Sequence, residues 1–278
     1  MPLYQAIVLA IIQGLTEFLP VSSTAHLWLV PWMFNWKDPG LTFDVALHAG
    51  TLAAVLLYFW RYWVEMIKMV MGVSDGSGVT AGSIPLLGEN RKLYWFLIIA
   101  TIPGGIAGLL FEHAAEEKWR SPVVVGVALI VVALVMWAGE RVGRHDVSLG
   151  QIGLVDSIIV GAAQACAIIP GVSRSGSTMA AGLFRGMTRE TAARFSFLLA
   201  TPLVAGACLK KGLEIHHQGL PAEMRLPFVV GIIVSGLVGY GVIAVLIRYL
   251  ERRTFTIFVV YRVILGVVLL AIGWGLRH

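Results

Sequence analysis

Charge is scarce in this 278-residue sequence: Asp, Glu, Lys and Arg together make up 13% of it. Soluble domains carry roughly 25%, so a water-soluble globular chain is excluded at the outset. Cysteine is almost absent as well. The two present, Cys166 and Cys208, lie in apolar segments and give neither a disulfide framework nor a Cys/His metal finger. No nucleic-acid motif is found. The opening residues, MPLYQ, lack a basic region, and no small-residue cleavage site follows the first apolar stretch, so a cleaved signal peptide is not expected.

What is there is apolar: 58% of the residues are hydrophobic. Uncharged runs such as SPVVVGVALIVVALVMWAG (Ser121–Gly139) recur along the chain, and about 20 such residues cross a bilayer. The sequence therefore predicts an all-α polytopic membrane protein. Six full spans are expected at about 45–64, 93–111, 122–139, 192–209, 226–250 and 255–276. Two regions fit badly. Residues 3–34 are interrupted by Glu17, Pro20 and SST, and residues 151–187 by Pro170 and SRSGS. Their arms are too short for two crossings and read as re-entrant broken helical hairpins. Irregular backbone at membrane depth is tolerated only where it is buried in protein or lines a wet cavity.

The order is then a hairpin and three spans, twice, within a single membrane domain over 1–278, with halves at about 1–145 and 150–278. Pro20 and Pro170, Ser23 and Ser173, and Thr51 and Thr201 match at one offset. Three spans per half is odd, so the second half enters the membrane from the opposite face, the inverted-topology plan. Alternating the loops between two sides places twelve Lys and Arg on one side and seven on the other, with Arg174 and Arg262 inside the membrane. The basic excess marks the cytoplasm. Both termini and the first hairpin then face outward. The Gly/Ser-rich stretch GVSDGSGVTAGS at 72–83 reads as a flexible linker.

Most of the reactive chemistry sits in the two hairpins. In QGLTEFLPVSSTAH (Gln13–His26), Gln13 and Glu17 share a helix face. A carboxylate among Leu15, Phe18 and Leu19 points to a site or a pathway. It is suited to ligating a hard divalent cation or to acting as a general base. After the break imposed by Pro20, Ser22, Ser23 and Thr24 are each candidates to cap the next helix. Taken with Glu17 and His26, the cluster also has the composition of an activated hydroxyl nucleophile.

In PGVSRSGST (Pro170–Thr178), Gly171 and Gly176 frame Ser173, Arg174 and Ser175. Glycines let backbone N–H groups form an anion-binding concavity. The positive end of the following helix TMAAGLF adds to it, and arginine supplies a planar fork for phosphate oxygens. Arg262, in FVVYRVILG, either completes this clamp or pairs with Asp156 or another buried acid. His48, in LHAGT, is read as a packed, hydrogen-bonded side chain in preference to a site residue. The two hairpins brought face to face make a phosphoryl-transfer site, where catalysis rests on positioning and charge stabilisation with a metal sharing the negative charge. Bilayer depth suits a substrate whose phosphates sit on a lipid tail.

At these motifs the sequence resembles the bacterial undecaprenyl-pyrophosphate phosphatase family, the bacitracin-resistance type. Gln13, Glu17, FLPVSST at 18–24 and His26 meet its first motif. Pro170, Gly171, Ser173, Arg174, Ser175 and Thr178 meet its second. The resemblance implies removal of the terminal phosphate from undecaprenyl pyrophosphate, which returns the monophosphate carrier to peptidoglycan synthesis. It implies a divalent cation, Mg²⁺ or Ca²⁺, and a bacterial inner membrane location with the active site open to the outer, periplasmic face.

Carried over by position, Glu17 is a metal ligand or base, with Gln13 beside it. Ser23 is the nucleophile, His26 an acid/base or alternative nucleophile, and Arg174 the phosphate clamp. Thr24, Gly171, Ser173, Ser175, Gly176 and Thr178 bind substrate. An amide at position 13 weakens the case for two carboxylates chelating the metal. Either Ser23 attacks phosphorus, or Glu17 and His26 activate water. A transporter or flippase for a phosphorylated lipid or anion is the alternative, since broken helices within inverted repeats are also a transporter plan. Gly231, Gly236, Gly239 and Gly241 suit helix packing within a protomer or between two in a homodimer.

Overall fold

The computed structural model of the chain describes residues 1–73, 90–117, 119 and 121–275. Most of the stretch at 72–83, read above as a linker, lies outside the described residues, as do Lys118, Arg120 and Arg277 of the charge count. Among the described residues there is no strand, only an isolated bridge between Val147 and Met187. The helices in order are α1 (Leu3–Thr16), α2 (Ser23–Met33), α3 (Leu41–Tyr58), α4 (Trp60–Val70), α5 (Leu93–Glu117), α6 (Pro122–Val142), α7 (Leu154–Ala165), α8 (Arg174–Phe184), α9 (Arg189–Gln218), α10 (Ala222–Leu250) and α11 (Thr256–Gly275).

Six of these, α3, α5, α6, α9, α10 and α11, are long and apolar enough to cross a membrane. The chain is a multi-pass α-helical membrane protein. Apolar side chains on the outer faces, such as Leu237 and Val245 of α10 and Ile264 and Val267 of α11, stand exposed, as a lipid-facing surface requires. By contrast α1, with 14 residues, reaches only about 21 Å at 1.5 Å per residue, short of a bilayer core.

The first span ends earlier than the hydropathy pattern predicts. Helix α3 stops at Tyr58, and Phe59 leaves helical geometry at φ −100° and ψ 19°. Helix α4 then restarts with Tyr62, Met66 and Met69 buried and Arg61 and Trp60 outward. Hydropathy averaged across 45–64 does not register this break, because a fully buried Phe59 marks it rather than a polar residue.

Small residues set the helix spacing. A Cβ on Gly50 of α3 would fall on Ile232 O and Ser235 Oγ of α10, and one on Gly161 of α7 on the Ala100 backbone of α5. Such close approach lets dispersion hold helices together where lipid offers no hydrophobic drive. Helix α1 packs on α10 and α7 packs on α5. The first arm of each hairpin thus lies against the second long span of the other half of the chain.

Each hairpin turns through a serine with left-handed backbone. Ser22 has φ 75° just before α2, and Ser173 has φ 71° just before α8. A side chain in that region is unfavourable and persists only where its surroundings enforce it. Arg262 of α11 braces both turns next to these serines. This side chain is fully buried, and its guanidinium donates to Pro20 O of the first turn (3.0 Å), Gly171 O and Val172 O of the second (3.0 Å each) and Leu129 O of α6 (3.2 Å). The sequence left Arg262 between completing the phosphate clamp and pairing with Asp156 or another buried acid. It does neither: Asp156 pairs with Arg185 at 2.7 Å, and Arg262 fastens the two turns together through their carbonyls.

Candidate active site

The site grows from the end of α1. Helix α1 closes as Glu17 N–H bonds Gln13 O at 2.9 Å, which sets the carboxylate at the mouth of the turn. Glu17 is 7% exposed and Gln13 wholly buried. Donors meet both carboxylate oxygens. Oε1 accepts from Arg174 Nη2 at 2.5 Å. Oε2 accepts from Ser23 Oγ at 2.7 Å and Gln13 Nε2 at 3.0 Å, and His48 Nε2 lies 3.3 Å from it. A buried carboxylate without such partners would be strongly disfavoured.

The side chains around Glu17 are held in turn. Arg174 begins α8 and also donates from Nη1 to Ser196 O of α9 at 3.2 Å. His48 Nδ1 donates to Asp44 O at 2.7 Å, so both ring nitrogens face acceptors and the ring fits as a double donor. The first hairpin, the second hairpin and α3 therefore converge on one carboxylate.

Glu17, Ser23, Thr24, His48, Ser173 and Arg174 line a cavity of about 670 Å³ whose remaining walls are largely apolar, with Val45 of α3, Gly104 of α5, Ala167 after α7 and Leu203 of α9 among them. That volume and composition suit a ligand with an apolar body and a few polar anchoring points.

The other residues singled out in the sequence have different placements. Ser175 Oγ donates to Leu19 O at 3.1 Å, joining the hairpins. Thr178 Oγ1 bonds Arg174 O at 2.7 Å and Ser196 Oγ at 2.7 Å. Gly171, at φ 94°, sits against the Val125 backbone. Gly176 gives its N–H to Ser173 Oγ at 3.1 Å, the cap of α8. This helix begins at Arg174, four residues before the stretch expected to open it.

His26 turns toward α11 rather than Glu17. Nδ1 donates to Ser22 O at 2.7 Å, Nε2 lies 2.6 Å from Tyr261 Oη, and the two rings stack at 5.8 Å. His48, read from the sequence as a packed, hydrogen-bonded side chain in preference to a site residue, is hydrogen-bonded to Asp44 O and also lies 3.3 Å from Glu17 Oε2 in the cavity wall. An ionisable group inside a span is a functional candidate by default, and that signal, applied to Glu17, was equally present in LHAGT.

The family model described as "Bacitracin resistance protein BacA" matches residues 6–268. The chain belongs to this family. It is 47% identical over 274 residues to the undecaprenyl-diphosphatase of Moorella thermoacetica, with 99% of each chain covered. It is 46% identical over 282 residues to that of Thermomicrobium roseum, covering 98% of each, and 47% over 270 residues to that of Desulforudis audaxviator, covering 97% of each. In this BacA-family chain, both polar motifs fall inside the matched region and on the turns of the two hairpins.

Proposed function

We propose that this chain is an undecaprenyl-diphosphate phosphatase of the membrane, removing the terminal phosphate of undecaprenyl pyrophosphate and so renewing the carrier for peptidoglycan synthesis. Its near full-length similarity to undecaprenyl-diphosphatases supports this reading. The observation that carries it in the structure is the Ser23–Glu17–Arg174 contact inside a largely apolar cavity. A carrier that only binds and releases its cargo gains nothing from a hydroxyl aimed at a carboxylate.

Ser23 Oγ, already donating to Glu17, is the nucleophile. As Oγ forms its bond to the terminal phosphorus, its proton passes to Glu17 Oε2, and the P–O bond to the lipid phosphate breaks in line. Arg174 moves its fork from the carboxylate to the equatorial oxygens of the transferred phosphoryl group. That transfer strips Glu17 of its strongest donor at the moment it takes up a proton. His48, between Asp44 O and Glu17, keeps the carboxylate oriented. Glu17 gives that proton to the departing lipid phosphate oxygen, and the freed carboxylate then deprotonates a water that attacks the phosphoserine, the proton returning to Ser23 Oγ as inorganic phosphate leaves.

A divalent cation, Mg²⁺ or Ca²⁺, fits the residues in one way. Among the described residues there is no group of three His, Cys, Asp or Glu side chains suited to a metal, but Gln13 Oε1 is a buried oxygen without a hydrogen-bond partner next to Glu17. Glu17 and Gln13 would hold a cation that takes its other ligands from the substrate, as Mg²⁺ commonly does. It would supply charge neutralisation of the phosphate oxygens.

The excess of Lys and Arg on one side supports a bacterial inner membrane placement with both termini and the cavity mouth on the outer face, and with the second half inverted relative to the first. The test is phosphate release from undecaprenyl pyrophosphate by detergent-purified protein. Lipid binding without release under any cation would remove the reading.

A further inference from the structure

Gln164, in the last turn of α7, is 2% exposed, and neither Nε2 nor Oε1 has a hydrogen-bond partner. It lines the same cavity as Glu17, Ser23 and Arg174. Buried amide groups in folded chains are nearly always bonded, and leaving them unbonded is destabilising. The first hairpin shows how such an amide is ordinarily used: Gln13, in the last turn of α1, donates to Glu17 four residues on. The residue four after Gln164 is Ile168, which offers nothing to bond. Opposite it, α5 presents Gly104, where a Cβ would come within 3.0 Å of Gln164 Nε2. The helix facing the amide thus leaves just enough room for it.

We propose that Gln164 binds the substrate, its amide N–H donating to an oxygen of the phosphate that stays on the lipid. This rests on the phosphatase reading above. The terminal phosphate belongs with Ser23 and Arg174, while Gln164 lines the same cavity on the chain segment that also contributes the apolar Ala165, Ala167 and Ile168. The lipid-side phosphate is the part of the substrate that joins those two environments. A neutral amide suits it: it orients the phosphate by hydrogen bonding yet adds no cation to hold the product after cleavage.

Gln164→Met keeps the length of the side chain and removes both polar atoms. The expected result is a KM for undecaprenyl pyrophosphate raised about tenfold or more, the size of one hydrogen bond to a charged group, with kcat changed far less. Inhibition by undecaprenyl phosphate should weaken by a similar factor, while inhibition by inorganic phosphate stays as in wild type. Tm should not fall, since unbonded polar atoms are exchanged for an apolar side chain. Unchanged KM and unchanged product inhibition would overturn the proposal and leave water as the amide's partner. Weakened inhibition by inorganic phosphate alone would also overturn it, by moving the contact to the terminal phosphate. Should Gln164→Met fail to fold, Gly104→Ala presses on the amide from α5 and carries the same readouts: a raised KM supports the contact and an unchanged one removes it. A wild-type protein that releases no phosphate would instead defeat the underlying function.

Discussion

Arg174 Nη2 and Glu17 Oε1 lie 2.5 Å apart although 157 residues separate them in sequence. This ion pair joins the two broken hairpins at their turns. It also gives the guanidinium an anionic partner in the position where a phosphate oxygen would replace it. In the proposed mechanism, the carboxylate that receives the Ser23 proton is thereby tied to the cation that receives the phosphate.

Ser23 and Thr24 both line the cavity, but only Ser23 donates to Glu17, while Thr24 shares a hydrogen bond with Ser22 at 3.2 Å. Ser23→Ala should lower kcat by on the order of 100-fold or more, the range spanned by loss of a proton-transfer partner. Thr24→Ala should cost less than Ser23→Ala. Steady-state phosphate release from the two variants, with folding checked by gel filtration, decides this. Equal losses would place the nucleophile elsewhere.

His48 stands between Asp44 O and Glu17 Oε2. His48→Gln retains a donor for the carboxylate but loses the second nitrogen that fixes the ring. The expected outcome is a roughly tenfold fall in kcat, the size of one charge-assisted hydrogen bond, with KM little changed. A His48→Gln enzyme with wild-type turnover would reduce His48 to packing.

Arg262 bonds four carbonyls and is not among the residues that line the cavity. Arg262→Met strips those carbonyls of their donor at once, which costs on the order of 3 kcal/mol or more. A lower Tm in detergent, together with a fall in kcat from loosened turns, is expected. Arg262→Lys should rescue only part of this, because an ammonium cannot reproduce the planar fork.

Removing divalent cations with a chelator should abolish phosphate release, and adding back Mg²⁺ or Ca²⁺ should restore it. Gln13→Leu deletes the unpartnered Oε1 and should raise the cation concentration needed for half-maximal rate by roughly tenfold, the equivalent of about 1.4 kcal/mol. Chelator-insensitive turnover would remove the cation from the account.

Much of this was legible in the sequence, for identifiable reasons. The long spans are set by apolar runs, and a Glu and an Arg amid apolar neighbours mark the two turns, since charge in a span is costly enough to need a purpose. The break at Phe59 was not legible, because the helix stops there for packing on a buried aromatic rather than at a polar or proline signal. Nor was the division of labour inside PGVSRSGST. Ser173 and Arg174 line the cavity, whereas Ser175 and Thr178 spend their hydroxyls on Leu19 O and Ser196 Oγ. A one-residue change of direction along a helix turn separates those fates, and only the folded partners fix it. Arg262 was visible as an intramembrane charge and His48 as a polar residue within a span, but their partners lie far away in sequence.

The most direct test of two hairpins acting as one site is a double-mutant cycle on Glu17→Gln and Arg174→Met, read by phosphate release and by Tm. Breaking a buried ion pair from one side leaves an uncompensated charge, so each single variant should lose both activity and stability. The double variant should recover part of the lost Tm while its activity falls no further than that of the worse single variant, as for residues that work as a unit. Activity losses that multiply in the double variant, or a single variant that turns over undecaprenyl pyrophosphate at the wild-type rate, would contradict the account.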